Sequence, residues 1–213
     1  VSADPKSGGA DGGGVSADRD AEQRDWLQDS ELRGPPFADP EAARRRVILF
    51  GAVPLAAALS TLARAAGWRA FVVDPRARFA THERFPDAER VLVAWPEEAI
   101  AQLGGLDAET SVAVLSHDPV LDDLALGLAL RSPARFIGAM GSRRTQAARR
   151  ERLRACLTDG ELERLSGPIG LDLGALSAPE TALSILAEMV AVSHGRAGGR
   201  LKAADGRVRA QAP

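Results

Sequence analysis

From Val47 onward the chain alternates short, continuous apolar runs with longer stretches in which apolar residues recur every three or four positions. The run Val47–Phe50 reads as a strand of the fully buried type, and "AFVVD" ending at Asp74, "RVLVAW", "SVAVLSH" and "ARFIGAMG" read as four further strands. Pro54 suits the first turn of a helix, where its missing N–H costs little, and Leu55, Leu59, Leu62 and Ala66 then form one apolar face, closed by Gly67. Pro96 with Glu97 and Glu98 opens a second helix with acid at its positive end. Asp118 before Pro119 is a cap and first-turn pair for a third helix, running to about Leu130, and a long fourth helix is predicted from Ser142 to Leu157. Thr158 with Glu161, and Ser177 with Glu180, have capping-box spacing. The last helix carries Ala182, Ile185, Leu186 and Met189 on one face, and "GPIGLDLGA" before it is a glycine-rich connection.

Strands separated by helices of this length imply a parallel sheet covered on both faces. With right-handed crossovers this is an α/β, doubly wound, Rossmann-like sheet forming a single domain over residues 46–195. Residues 1–25 are rich in Gly, Ser and Asp and read as a disordered tail; 26–45, with Trp26, Leu27, Leu32 and Phe37, as a linker or docking segment; 196–213 as a flexible tail. Ligands of such sheets bind beyond the carboxyl ends of the strands, near the switch in strand order. That rule selects the loops at Gly51, Asp74, His117 and Gly138.

Composition narrows the function classes. A formal charge of −2 argues against a generic nucleic-acid binder, and no apolar run is long enough to span a bilayer. No stretch resembles an export signal, so a cytoplasmic location is expected. The single cysteine, Cys156, excludes an intrachain disulfide and a multi-cysteine metal site, and its apolar-periodic surroundings read as a packed thiol. His82, His117 and His194 lack metal-ligand spacing, so no metal site is expected.

At the selected loops the chemistry is uneven. After strand one, a dinucleotide fingerprint G-x-G-x-x-G is reduced to Gly51-Ala52-Val53-Pro54-Leu55-Ala56, with a branched side chain where the pyrophosphate should approach. Asp74 follows Gly51 by 23 residues, near the spacing of a ribose-hydroxyl acceptor, while Arg76 and Arg78 beside it can hold a phosphate and a plain surface loop is the competing reading. His117 can donate, accept or titrate; Asp118 reads as an N-cap, and Asp122, one turn on, as facing the same cleft. "GAMGSRR", Gly138 to Arg144, is the strongest local signal. Backbone amides after Gly141, the Ser142 hydroxyl and the guanidiniums of Arg143 and Arg144 converge as they would on a phosphate. Arg149, Arg150, Arg152 and Arg154 read as a solvated helix face.

Three motifs, "LSHDPVLD", "FIGAMGSRR" and "PIGLDLGALSAPETALSILAEM", together resemble the C-terminal Rossmann domain of the XdhC/CoxI family, from about Arg46 to Val192. The family comprises accessory factors of molybdenum hydroxylases such as xanthine dehydrogenase and aerobic carbon monoxide dehydrogenase. The resemblance implies a chaperone-like role: holding the molybdenum cofactor, in a phosphate or dinucleotide form, and delivering it to a hydroxylase subunit, with a cofactor-sulfurating enzyme as a further partner. Gly51, Ala52, Asp74, Arg76, His117, Asp118, Asp122, Gly138, Gly141, Ser142, Arg143 and Arg144 are then the candidate cofactor-binding set, with His117 the candidate catalytic group. The family's G-A-G-H-x-G after strand one is here "GAVPLA", and no counterpart of its N-terminal domain is found in the first 45 residues. A separately encoded N-terminal partner and a homo-oligomer are expected. Two other readings stay open: an NAD(P)-dependent oxidoreductase, disfavoured by the altered loop, and a ligand-free docking scaffold.

Overall fold

A computed structural model describes residues 44–203. The tail read at 1–25, the docking segment as far as residue 43, and residues 204–213 lie outside the described residues. Six strands form one parallel sheet in the order β3-β2-β1-β4-β5-β6: β1 (Arg46–Phe50), β2 (Arg69–Val73), β3 (Arg90–Leu92), β4 (Thr110–Val114), β5 (Phe136–Ala139) and β6 (Leu165–Ser166). This is the doubly wound Rossmann order, with its switch between β1 and β4. Registers align there, with Phe50 opposite both Val73 and Val114, so the loops leaving β1, β2 and β4 emerge side by side.

The helices are α1 (Pro54–Ala65), α2 (Pro96–Gln102), α3 (Pro119–Leu130), α4 (Arg143–Leu153), α5 (Asp159–Glu163) and α6 (Ala178–Ser193). Alternation along β1 divides the core. Val47 and Leu49 join Leu55 and Leu59 of α1 with Ile185 and Met189 of α6 on one face. Ile48 and Phe50 join Ala99 of α2, Leu126 and Leu130 of α3 and Leu153 of α4 on the other. Both capping boxes close as the spacing predicts, at Thr158–Glu161 and Ser177–Glu180.

Several local expectations change. Strand β6 has two residues, too few for any periodicity to mark it. Strand β3 ends at Leu92, short of the full "RVLVAW" run, and Val93 and Trp95 beyond it are exposed. On α1 the buried face ends on Ala63, while Ala66 turns outward as the C-cap. Helix α4 stops at Leu153, leaving Cys156 past its end and exposed rather than packed.

The switch requires close packing. Gly51 sits at φ +113°, and a Cβ there would lie 2.8 Å from the Ser116 backbone nitrogen. Gly51→Ala is therefore expected to lose on the order of 1–3 kcal/mol from backbone strain alone, plus the clash, measured by urea denaturation; an unchanged midpoint would refute this packing role.

Candidate functional site

Two buried carboxylates organise the carboxyl edge of the sheet. Asp74, at the end of β2, is fully buried. Its carboxylate accepts from the Ala52 N–H at 2.9 Å, the Arg76 N–H at 3.0 Å, and Nε and Nη2 of Arg76 at 2.9 and 2.8 Å. Burial pushes the Asp74 carboxyl up, but the bonds from Arg76 and Ala52 outweigh it and hold the pKa below the ordinary carboxylate value. These four bonds occupy its acceptor sites. Asp74 is therefore neither a free ribose acceptor nor part of a solvated surface loop: it fastens the β1 loop to the β2 loop.

Asp122, on the first turn of α3, is buried as well, and this corrects its expected place in an open cleft. The Ser116 hydroxyl donates to Oδ1, and Nη2 of Arg149 donates to Oδ2 at 2.9 Å, with both members of the ion pair only 3% exposed. Burial pushes the Asp122 carboxyl above its usual range, and the bonds from Ser116 and Arg149 offset this only in part. Arg149 also donates through Nη1 to the Met140 carbonyl at 3.0 Å and to Oε1 of Gln146 at 2.8 Å, and Gln146 Nε2 donates to the carbonyls of Ala139 and Met140. Arg149 is thus the opposite of a solvated residue. Its neighbours also have partners: Arg150 donates to the Leu162 and Leu165 carbonyls, Arg152 pairs with Asp123, and Arg154 pairs with Glu151 on the surface. No periodicity distinguishes these arginines, because the buried one is bracketed by others in the same run.

The loop that this network supports is Met140–Ser142. Gly141 takes φ +128°, and the Ser142 hydroxyl accepts from the Thr145 N–H at 3.2 Å as the N-cap of α4. Arg143 and Arg144 are exposed on the first turn, which holds no acidic residue, and neither has a partner among the described residues. Gly138 lies inside β5 rather than at the turn. The space where its Cβ would stand is taken by Ile169, 2.5 Å away, so its role is to seat the chain that follows β6, not to touch a ligand. That following chain is held in turn by Glu188 of α6, which accepts from the Ser166 hydroxyl and the Gly170 N–H.

His117 is exposed at the end of β4, beside the switch, and hydrogen-bonds to nothing among the described residues. Asp118 caps α3, accepting from the Val120 and Leu121 amides at 2.9 and 3.4 Å. Helix α1, by contrast, starts at Val53 with no side-chain cap and no acid in its first turn. Among the described residues, no group of three or more His, Cys, Asp or Glu side chains is placed to hold a metal ion.

The two fastenings predict different losses. Asp122→Ala leaves a buried guanidinium without its counter-ion and should cost about 3–5 kcal/mol in urea denaturation, whereas the apolar pair Asp122→Leu with Arg149→Met should cost clearly less. Asp74 has a lowered folded pKa. Its contribution is therefore complete above its unfolded value of about 3.9 and is lost as pH falls through the folded value. Asp74→Asn should accordingly flatten the acid limb of a stability–pH curve, and an acid limb identical to that of the unaltered chain would contradict the assignment.

Residues 47–189 match the family model described as the XdhC Rossmann domain. The chain is 30% identical over 145 residues to a probable xanthine dehydrogenase subunit of Bacillus subtilis, covering 68% of this chain and 42% of that protein. It is 29% identical over 164 residues to the uncharacterized protein YqeB of Escherichia coli, covering 76% of this chain and 30% of that one. A crystal structure of a xanthine dehydrogenase from Bacillus halodurans superposes with a TM-score of 0.62 at 28% identity, over 71% of this chain and 45% of that one. The matched region thus spans less than half the length of each of these relatives. No helix among the described residues is long and apolar enough to cross a membrane. With the Rossmann strand order and well over half of its length matched, the chain belongs to the XdhC family through its Rossmann domain.

Proposed function

We propose that this chain is an accessory protein for maturation of a molybdenum hydroxylase of the xanthine dehydrogenase type, which holds a phosphate-bearing form of the molybdenum cofactor at the carboxyl edge of its sheet and hands it over. Membership in the XdhC family supports the coarser part, a role beside xanthine dehydrogenase. The finer part rests on one observation: the first turn of α4 presents Arg143, Arg144 and the backbone amides next to Ser142 with no internal anion. Two cations at the positive end of a helix repel its dipole, and an incoming phosphate relieves that repulsion. The donor set fits a phosphate, the part of such a cofactor that a protein can grip without touching its reactive centre. The bound cofactor supplies the redox chemistry of the client enzyme; the residues here bind, orient and shield.

The assigned roles follow from position. Ser142, Arg143 and the amides after Gly141 take the phosphate, Arg144 adds charge beside them, and Gly51 and Ala52 form the floor at the switch. His117 stands free at the strand end to contact the cofactor or the client, while Asp118 serves the helix. The partners in this reading are a hydroxylase subunit or a sulfurating enzyme, a separately encoded XdhC-type domain, and a second copy of the chain. Dinucleotides in the usual nicotinamide pose fit poorly, because Val53 and Pro54 occupy the pyrophosphate approach and Asp74 is closed.

Arg143→Ala should weaken cofactor binding by about 1.5–3 kcal/mol, measured by titration with the cofactor released from a purified hydroxylase. If Arg143→Ala and Arg144→Ala together leave that affinity unchanged, the phosphate site is elsewhere. His117→Ala should melt normally yet fail to support hydroxylase activation, whereas Asp118→Ala should lose about 1 kcal/mol of stability and still activate. A His117→Ala chain that melts early and activates normally would reverse the two roles. NAD(H) and NADP(H) should bind more weakly than about 10 μM, roughly −7 kcal/mol, by calorimetry.

A further inference from the structure

The sheet is open along β3. Among the described residues β3 pairs with β2 alone, and the Leu92 carbonyl accepts from the Asp74 N–H at 3.1 Å. Successive residues of a strand turn their backbone groups to alternate sides, so Val91 and Val93 turn theirs away from β2. Side chains alternate too: Leu92 and Ala94 are buried, whereas Val93 and Trp95 are 51% and 48% exposed. "RVLVAW" has the composition of a longer strand, yet the ladder with β2 ends at Leu92.

Natural sheet edges are blunted by charge, proline, a bulge or a covering segment. From Val91 to Trp95 this edge carries neither charge nor proline. The opposite edge differs: β6 has only two residues, and the chain after it is tied back, Ile169 to the Ala139 carbonyl and Gly170 to Glu188.

We infer that β3 is an interface between two copies of this chain, which pair antiparallel about a two-fold axis and continue one six-stranded sheet into the other. An axis normal to the sheet keeps each face on its own side, so residues whose backbone groups point outward meet others of the same kind. The register with Val91 opposite Val93 of the second copy forms four main-chain hydrogen bonds. It also sets two β-branched cross-strand pairs on the face where Val93 is exposed. In this register Arg90 falls opposite Ala94 and Glu89 opposite Trp95, so no like charges face each other. A slip of two residues sets the Glu89 carboxylate against Val93 in one direction, and Val91 against Trp95, beyond the bend at Ala94, in the other. A strand pair this short buries less than the roughly 800 Å² per partner of a standard interface, so the dimer is reversible, half-dissociated between about 1 and 100 μM. Its two carboxyl edges point in opposite directions, which leaves both candidate cofactor sites open.

Sedimentation equilibrium of the full chain up to about 500 μM should show a monomer–dimer equilibrium. Val93→Pro removes an N–H that β2 does not use, and Val93→Lys leaves the backbone intact and adds charge to the edge. Each should raise the dissociation constant at least about tenfold, and Val93→Lys should melt like the unaltered chain diluted to monomer. For the register, Val91→Cys and Val93→Cys chains, both carrying Cys156→Ser, should form a disulfide-linked dimer when mixed and oxidised, and far less when oxidised separately. Three results would overturn the pairing: a chain that stays monomeric throughout, a dimer equally tight in both Val93 variants, or Val91→Cys chains that link alone as readily as in the mixture. A monomer whose Val91 and Val93 amides gain exchange protection only on adding a hydroxylase subunit would also overturn it and give the edge to that partner. None of these readouts uses hydroxylase activation, so the maturation role and the dimer stand or fail separately.

Discussion

The carboxyl edge depends on the buried ion pair between Asp122 and Arg149. Stripping two charges of water costs several kcal/mol per ion, and the pair recovers it only where geometry and further hydrogen bonds are complete. Here Ser116 supplies a donor to the carboxylate, and Gln146 and the Met140 carbonyl accept from the guanidinium. A single unsatisfied buried side-chain group, Nε of Arg149, remains among the described residues. The return on that cost is positional. One pair links the end of β4, the first turn of α3, the turn after β5 and the second turn of α4, so four segments that carry the exposed groups move together.

Asp74 performs the same service one step along the sheet, where it joins the β1 and β2 loops through Ala52 and Arg76. Of the three carboxylates in the candidate set, Asp74 and Asp122 are turned inward, and Asp118 is taken up in capping α3. What remains on the surface of this edge is His117, which has no partner among the described residues, four arginines with no carboxylate partner among them at two loops, and the uncapped start of α1. An edge built in this way favours anions irrespective of the chain's slight overall negative charge, because local field and not net charge acts at contact distance.

Most of the frame is legible in the chain because it rests on local rules. Buried parallel strands appear as short apolar runs, and the residues that start each helix, Pro54, Asp118, Thr158 and Ser177, carry their reasons with them. The connecting chemistry is not legible. Nothing in "RRTQAARRERL" marks Arg149 as the buried member, since burial is decided by which turn of α4 faces Asp122 across a different helix. Asp74 stands at the right spacing for a ligand, and only its meeting with Ala52, 22 residues away, shows it to be occupied. Gly138 belongs to a glycine-rich motif, yet its reason is Ile169, just past a strand too short to leave a pattern.

That division bears on how the proposed hand-over would work. In the proposed reading the groups that would grip a ligand do not belong to the buried networks, so binding and release would leave Asp122–Arg149 and Asp74–Arg76 undisturbed. Exposed guanidiniums on a fixed base exchange one set of charge-assisted bonds for another at small cost in reorganisation, and a competing anionic or acidic surface can take the ligand from them. A site made instead from the buried carboxylates would have to break a desolvated pair for each transfer, at several kcal/mol. Rigid loops bearing solvated cations would suit the proposed hand-over, in which a cofactor is held firmly enough to be oriented and loosely enough to be passed on.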